Sequence, residues 1–310
     1  MTSAEAAPVE LVAIFGPTGV GKTAVAIELA QLLRERGGDP VAISCDSIQI
    51  YRGLETISGA ADAAEQSRLE HRLIGIAGAD EEFSAGRFAE LAEAEVAAAL
   101  AAGRLPIVVG GTGLYMRAAL SEIQLQPPVD PAVRAAIEAE LAERGPAALH
   151  AELPADVAEA VHPNDRKRIT RALELLRSGL EPPERFGELW TARLRRPTLL
   201  VGLVCEREAL DARIEARVDA MATAGAGEEA RAALAAPISR TAASAIGLEA
   251  FAADDLERAA AEHRRFARRQ LTWMKKMDGI ELIDVGAGVA PDVAGAAARI
   301  VALLGDTARR

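Results

Sequence analysis

Aromatic residues make up 3% of the 310-residue chain, and there are two cysteines. So few rings exclude a nucleic-acid surface built on a row of base-stacking platforms. Cys45 and Cys205 stand alone, without paired spacing, which excludes a disulfide framework or a structural zinc site; both are expected in the core. Also absent is any apolar run approaching the roughly 18–20 residues of a membrane span. Met1 to Glu10 has neither the basic nor the apolar region of a signal peptide, so a cytoplasmic protein with no membrane contact is expected. Positive charge is in the minority: 35 Lys and Arg against 46 Asp and Glu leave a net charge of −11, which disfavours a generally basic surface.

The cations that are present fall in groups: Arg166-Lys167-Arg168 with Arg171, Arg193 to Arg196, Arg264-Arg265, Arg268-Arg269 and Lys275-Lys276. Such groups read either as a local basic groove on an acidic protein or as solvated helix faces.

The strongest local signal is Gly16-Pro17-Thr18-Gly19-Val20-Gly21-Lys22-Thr23, between the apolar run Leu11 to Phe15 and a helical pattern. This is a P-loop. Closely spaced glycines let backbone N–H groups turn inward around phosphate oxygens, Lys22 adds a point charge, and the Thr23 hydroxyl is placed to hold Mg²⁺.

Around the loop, strand and helix patterns alternate. Strands are expected at 11–15, 40–44, 105–109 and 198–204, with a last one at 280–285; helices are expected at 24–36, 88–102, 207–223, 227–235 and 254–277. The alternation predicts an α/β protein, a P-loop NTPase-like doubly wound parallel sheet. From 121 to 196 the strand signal vanishes, and helical stretches at 132–144 and 164–177 lie between Pro127-Pro128 and Pro182-Pro183. The expected organisation is therefore a flexible N-terminus (1–10), a core (11–120), a helical insertion (121–196), and the rest of the core with C-terminal helices (197–300).

P-loop proteins that hydrolyse ATP need a second carboxylate at a strand end to help hold Mg²⁺. Here the run Leu105 to Val109 leads instead into Gly110-Gly111-Thr112-Gly113. The carboxylate in such a place is Asp46, at the tip of the second strand, where it serves either as a general base or as a cap on the next segment. Thr112 either donates to a phosphate oxygen or is a turn residue. In the helix after Glu206, Leu210, Ile214, Val218 and Met221 share one arc; Arg217 falls about 20° outside it and Arg213 about 60°. Arg217 is thus expected to lean inward and to pair with a phosphate oxygen or a carboxylate.

Several further blocks run in order along the chain: Cys45-Asp46-Ser47 with Gln49-Ile50-Tyr51-Arg52-Gly53, Val109 to Tyr115, His162-Pro163-Asn164-Asp165 with Arg168, and Arg268-Arg269-Gln270-Leu271-Thr272-Trp273. With the P-loop they make the chain resemble the bacterial type of the tRNA dimethylallyltransferase family. The resemblance implies transfer of a dimethylallyl group from dimethylallyl diphosphate to the exocyclic amine of the adenosine at tRNA position 37, beside the anticodon. It implies Gly16, Pro17, Thr18, Gly19, Val20, Gly21, Lys22 and Thr23 as the diphosphate or nucleotide cradle, and Mg²⁺ on Thr23. Asp46, Thr112 and Arg217 are implied to be catalytic. The implied tRNA contacts are Asp46, Ser47, Ile48, Gln49, Thr112, Arg134, Arg166, Lys167, Arg168, Ile169 and Thr170.

The implied partners are a tRNA anticodon stem-loop and dimethylallyl diphosphate, for a monomeric enzyme that flips its target base into a channel between core and insertion. Trp190 and Trp273 are expected to pack rather than stack, and His71 to be structural. Two segments depart from the family. Ile57-Ser58-Gly59-Ala60-Ala61 stands where relatives often read Gly-Thr-Ala-Lys-Pro, and Ser244 to Glu249 lacks their basic and aromatic residues. The same residues also admit a P-loop small-molecule kinase, an adenylate isopentenyltransferase acting on free nucleotides, and a noncatalytic nucleotide switch.

Overall fold

Four continuous apolar runs become strands covered on both faces: β1 (Leu11–Phe15), β2 (Pro40–Cys45), β4 (Leu105–Gly110) and β5 (Thr198–Val204). With the short edge strands β3 (His71–Arg72) and β6 (Glu281–Asp284) they form one parallel sheet in the order β3-β2-β4-β1-β5-β6. The computed structural model describes residues 8–122, 129–182 and 193–307. Pro127-Pro128, Pro183 and Trp190, together with most of the expected flexible N-terminus, lie outside the described residues.

Helices connect the strands. α1 (Lys22–Arg34) follows β1, and α2 (Glu55–Ser58) and α3 (Ala63–Arg68) follow β2. α4 (Ala85–Ala101) precedes β4, and α5 (Gly113–Leu120) follows it. After β5 come α9 (Arg207–Thr223), α10 (Ala226–Ala235), α11 (Arg240–Ala243), α12 (Leu248–Ala252) and α13 (Leu256–Met274), and α14 (Val293–Thr307) follows β6. The main core includes Val12 and Ile14 of β1, Val25 and Leu29 of α1, Ile107 of β4, Val201 of β5 and Ile300 of α14.

The chain divides into two compact units, one of Met1–Glu122 with Arg193–Arg310 and one of Ile123–Ala192. Where the first unit is interrupted, Ser121 and Leu194 form an isolated antiparallel bridge, the Arg195 N–H donates to the Leu120 carbonyl at 2.8 Å, and its Nε donates to Ser121 at 3.0 Å. Arg196 pairs with Glu93 at 2.6 Å and Glu10 at 3.4 Å. Arg195 and Arg196 thus pin the first unit together.

In the second unit, α6 (Pro131–His150), α7 (Ala155–Ala160) and α8 (Arg166–Arg177) enclose a small core that includes Ile137, Leu141, Leu149, Val157, Ile169 and Leu173. The expected helix end at 144 is a break within α6: Gly145 has φ 78° and ψ 164°, ahead of Pro146. Proline offers no N–H and disfavours helical geometry in the residue before it, so the chain turns there and resumes. Asp165 caps α8 by accepting the Arg168 N–H at 3.1 Å.

Candidate active site at the carboxyl edge of the sheet

Three adjacent strands end level with one another. Phe15 of β1 and Cys45 of β2 both pair with Gly110 of β4, so the residues that follow leave the sheet side by side: Gly16, Asp46 and Gly111. Ligands in open α/β sheets bind at this carboxyl edge. Glycine is required at the end of β4 and just beyond it, because a β-carbon at Gly110 would overlap the Cys45 carbonyl, and one at Gly111 would overlap the side-chain amide of Gln270. That closeness brings Thr112 to Asp46.

The loop after β1 ends in the N-terminus of α1, whose first N–H groups have no partner within the helix and point outward as anion donors. The Lys22 ammonium donates to the carbonyls of Gly16 and Pro17 at 3.0 and 2.9 Å. Its burial, reinforced by the nearby Arg217 cation and opposed by Asp46, lowers its pKa to about 7. A base held this close to neutrality regains its charge when an anion arrives.

Asp46 divides its two oxygens between the roles its sequence position suggests. Oδ1 accepts the Ile48 N–H at 2.9 Å, a local turn, while Oδ2 accepts the Thr112 hydroxyl at 3.3 Å. Burial raises the carboxyl's pKa above its ordinary value, against the pull of the Ile48 N–H, Lys22 and Thr112. A carboxylate raised in this way is a stronger base than one in water. Ser47 is half-buried, and Ile48 is packed inward. Gln49 accepts from the Ser44 hydroxyl at 2.6 Å and donates to the Gly59 carbonyl at 3.3 Å.

Arg217 reaches this group from α9. Its guanidinium stands 3.4 Å from the Ser58 carbonyl and lies against Gly59, where a β-carbon would overlap it. Burial lowers its pKa, while Asp46 and Glu65 favour its charge. The helical-wheel ranking needs correction, since Arg213 is the more deeply buried of the two. It donates to the carbonyls of Gly286 at 2.8 Å, Gly288 at 2.9 Å and Val285 at 3.1 Å, tying α9 to the loop after β6. Angle along one helix cannot reveal a loop that crosses its flank.

The departure at 57–61 is firmly seated, because the carboxylate of Glu229 accepts the N–H groups of Thr56 and Ile57 at 3.0 and 2.8 Å. In the second unit, Arg166, Lys167 and Arg168 are exposed. Ile169 and Thr170 are buried in that unit, so their side chains are packing groups and the expectation that they touch RNA is corrected: the first turn of α8 presents one face outward and one inward. Arg134 pairs with Glu138 at 2.9 Å and with Glu174 at 2.7 Å; Arg171 also reaches Glu174, a carboxylate 2% exposed.

On α13, Arg265, Arg268 and Arg269 are exposed, as are Lys275 and Lys276 beyond it, and Trp273 is half-buried with its ring edge-on to Phe266. Cys45 is buried, whereas Cys205 is half-buried and packs against the edge of the main core. Among the described residues no group of three or more His, Cys, Asp or Glu is placed to hold a metal, and no helix is long and apolar enough to cross a membrane.

Residues 49–277 match the family described as IPP transferase. The chain is 42% identical over 286 residues to a tRNA dimethylallyltransferase of Anaeromyxobacter sp. (strain Fw109-5), covering 88% of this chain and 94% of that protein. Its fold matches the crystal structure of a tRNA isopentenylpyrophosphate transferase from Bacillus halodurans with a TM-score of 0.68 and 31% identity, covering 97% of this chain and 98% of the other. A eukaryotic dimethylallyltransferase acting on tRNA matches with a TM-score of 0.70 and 27% identity, over 89% of this chain and 74% of that one.

Proposed function

The chain belongs to the IPP transferase family, and from that membership we propose that the carboxyl-edge site carries out prenyl transfer from dimethylallyl diphosphate to the N6 amine of the adenosine beside the anticodon. The protein is a prenyltransferase that moves a dimethylallyl group onto an adenosine of tRNA. What carries the assignment to this site is the common level at which β1, β2 and β4 end, which sets an anion cradle beside a half-buried carboxylate.

The residues divide the work. The α1 N-terminus, Lys22 and the loop from Gly16 to Thr23 take the diphosphate. As the carbon–oxygen bond to diphosphate breaks, a carbon–nitrogen bond forms to N6, and Asp46 Oδ2 accepts the proton that N6 loses. Arg217 and Lys22 meet the charge that collects on the leaving oxygens. Thr112 holds Asp46 in place through its hydroxyl.

The Thr23 hydroxyl, in the first turn of α1 next to Lys22, would hold Mg²⁺ carried in with the diphosphate. Bound there, it would neutralise diphosphate charge. The target base must leave its stack, which an anticodon loop allows at low cost. Exposed Arg166, Lys167 and Arg168 supply cations for RNA phosphates, with Ser47, Gln49 and Arg134 as further contacts. On this reading the enzyme acts as a monomer in the cytoplasm.

Incubation with Mg²⁺, labelled dimethylallyl diphosphate and an anticodon stem-loop containing consecutive adenosines, followed by nucleoside mass analysis, tests the reading. Prenylated adenosine in the RNA is expected. Transfer to free adenine nucleotides alone would overturn it.

A further inference from the structure

Gln270 of α13 is 1% exposed and plays no part in the steps above. Its side-chain amide is nonetheless matched at both ends. Oε1 accepts the Thr18 N–H at 2.8 Å, and Nε2 donates to the Gly111 carbonyl at 2.8 Å. Turning the amide over would set oxygen against oxygen and N–H against N–H, so its two partners fix its orientation.

Those partners belong to different halves of the site. Thr18 lies in the loop that cradles diphosphate, whereas Gly111 directly precedes Thr112, whose hydroxyl meets Asp46. The amide enters between them because residue 111 has no β-carbon to overlap it. A direct path of polar contacts thus runs from the P-loop through Gln270 and the β4 turn to Asp46. Next to Gln270 on α13, Ala267 and Met274 are buried among apolar residues, so the helix is anchored without the amide.

We propose that Gln270 is a positioning residue, a strap that sets the separation between the diphosphate cradle and the base. It acts through Thr18 and Gly111 without touching the reacting atoms. The proposal rests on the prenyl-transfer reading for its effect on rate, but not for its effect on the cradle. Without the amide, the half-buried Thr18 N–H and the buried Gly111 carbonyl lose their partners and the two loops can drift. Misplacement of reacting groups by about 1 Å can lower a rate on the order of a hundredfold.

Two variants separate a strap from a space-filler. Gln270→Met keeps the length and bulk but neither hydrogen bond. Gln270→Glu keeps both bonds only while its carboxyl is protonated, because the neutral acid has an O–H for Gly111 and a carbonyl oxygen for Thr18; once ionised, it sets an oxygen against the Gly111 carbonyl. Transfer rate, KM for the stem-loop, and calorimetric affinity for inorganic diphosphate with Mg²⁺ are measured for wild type and both variants between pH 5.5 and 8.5, alongside thermal melting.

Gln270→Met is expected to lose about a hundredfold in rate and to bind diphosphate more weakly, with KM for RNA unchanged. The ratio of Gln270→Glu activity to that of wild type is expected to fall as pH rises. A Met variant equal to wild type in rate and diphosphate affinity, or a Glu ratio flat with pH, would overturn the strap. Should wild type bind diphosphate yet transfer no prenyl group, the functional reading fails, and the strap is then decided by diphosphate affinity in the same two variants.

Discussion

The Thr112 hydroxyl donates to Oδ2 of Asp46 at 3.3 Å, joining residues 66 positions apart in the chain. A hydroxyl has one proton to give, so Thr112 cannot donate to the carboxylate and to a phosphate oxygen at the same time. In this arrangement it holds the base. Thr112→Val is expected to leave the fold intact and lower the transfer rate, with the acid limb of the pH–rate profile moved to higher pH, because the hydrogen bond that favours the ionised carboxylate is gone. An unmoved limb would return Thr112 to contact with the diphosphate.

Asp46→Asn separates base from cap. The asparagine oxygen still accepts the Ile48 N–H, so the turn survives, but the amide cannot accept the N6 proton. Single-turnover transfer should drop by about 10²–10⁴, with RNA binding close to wild type. In the parent enzyme the rate should fall on the acid side, as protonation removes the acceptor; the midpoint lies above the ordinary carboxylate range because burial raises this pKa. Loss of RNA binding with normal turnover at saturation would sink the role.

Lys22 predicts a proton balance. With a pKa of about 7 in the empty site, it is mostly neutral at pH 8, and an arriving polyanion favours its charged form. Diphosphate binding at pH 8 should therefore take up close to one proton at this position, and uptake should fade below pH 6, where the ammonium is already charged. Calorimetry in buffers of different ionisation enthalpy measures this, with Lys22→Arg, charged throughout, as the reference. Equal uptake in both proteins would show that the diphosphate, not Lys22, binds the proton.

Arg217→Ala should depress the rate by about two to three orders of magnitude, the scale of one lost oxyanion donor. Gly59→Ala should act in the same direction, since its methyl group overlaps the place of the guanidinium. An unchanged rate in Arg217→Ala would leave this arginine a purely structural role.

In the second unit, surface and core separate within a single turn. Arg166→Ala and Lys167→Ala should each weaken tRNA binding and reduce its salt dependence by about one unit of slope, as lost phosphate contacts do. Ile169→Ala should instead cost about 2–5 kcal/mol of stability, as cavities at fully buried sites do, measured by denaturant unfolding. A salt slope altered by Ile169→Ala in a folded protein would contradict the burial argument.

How far the chain could be read depended on distance along it. Strand β1, the glycines, Lys22 and α1 are contiguous, so the P-loop was visible as spacing alone. The run Pro40–Cys45 likewise put Asp46 at a strand tip. The short helices α2, α3, α11 and α12 escaped because a few residues carry too little periodicity. Arg213 escaped because its partners are backbone carbonyls about seventy residues later, which leave no mark on residue type. The signal available for Gln270 was its place in a block resembling a known family, and that block did not say what the amide does.

By itself, then, the sequence determined the strand–loop–helix that makes an anion cradle and the apolar runs that must become a buried parallel sheet, since both follow from local conformation and side-chain pattern. Only the tertiary structure decided which strand ends meet. The order β2-β4-β1 sets Asp46, Thr112 and the P-loop side by side, α13 brings Gln270 between them, and burial tunes Lys22 and Asp46. The physical reason is range: hydrogen bonds between distant segments and the loss of solvent around a charge exist only after the chain has folded.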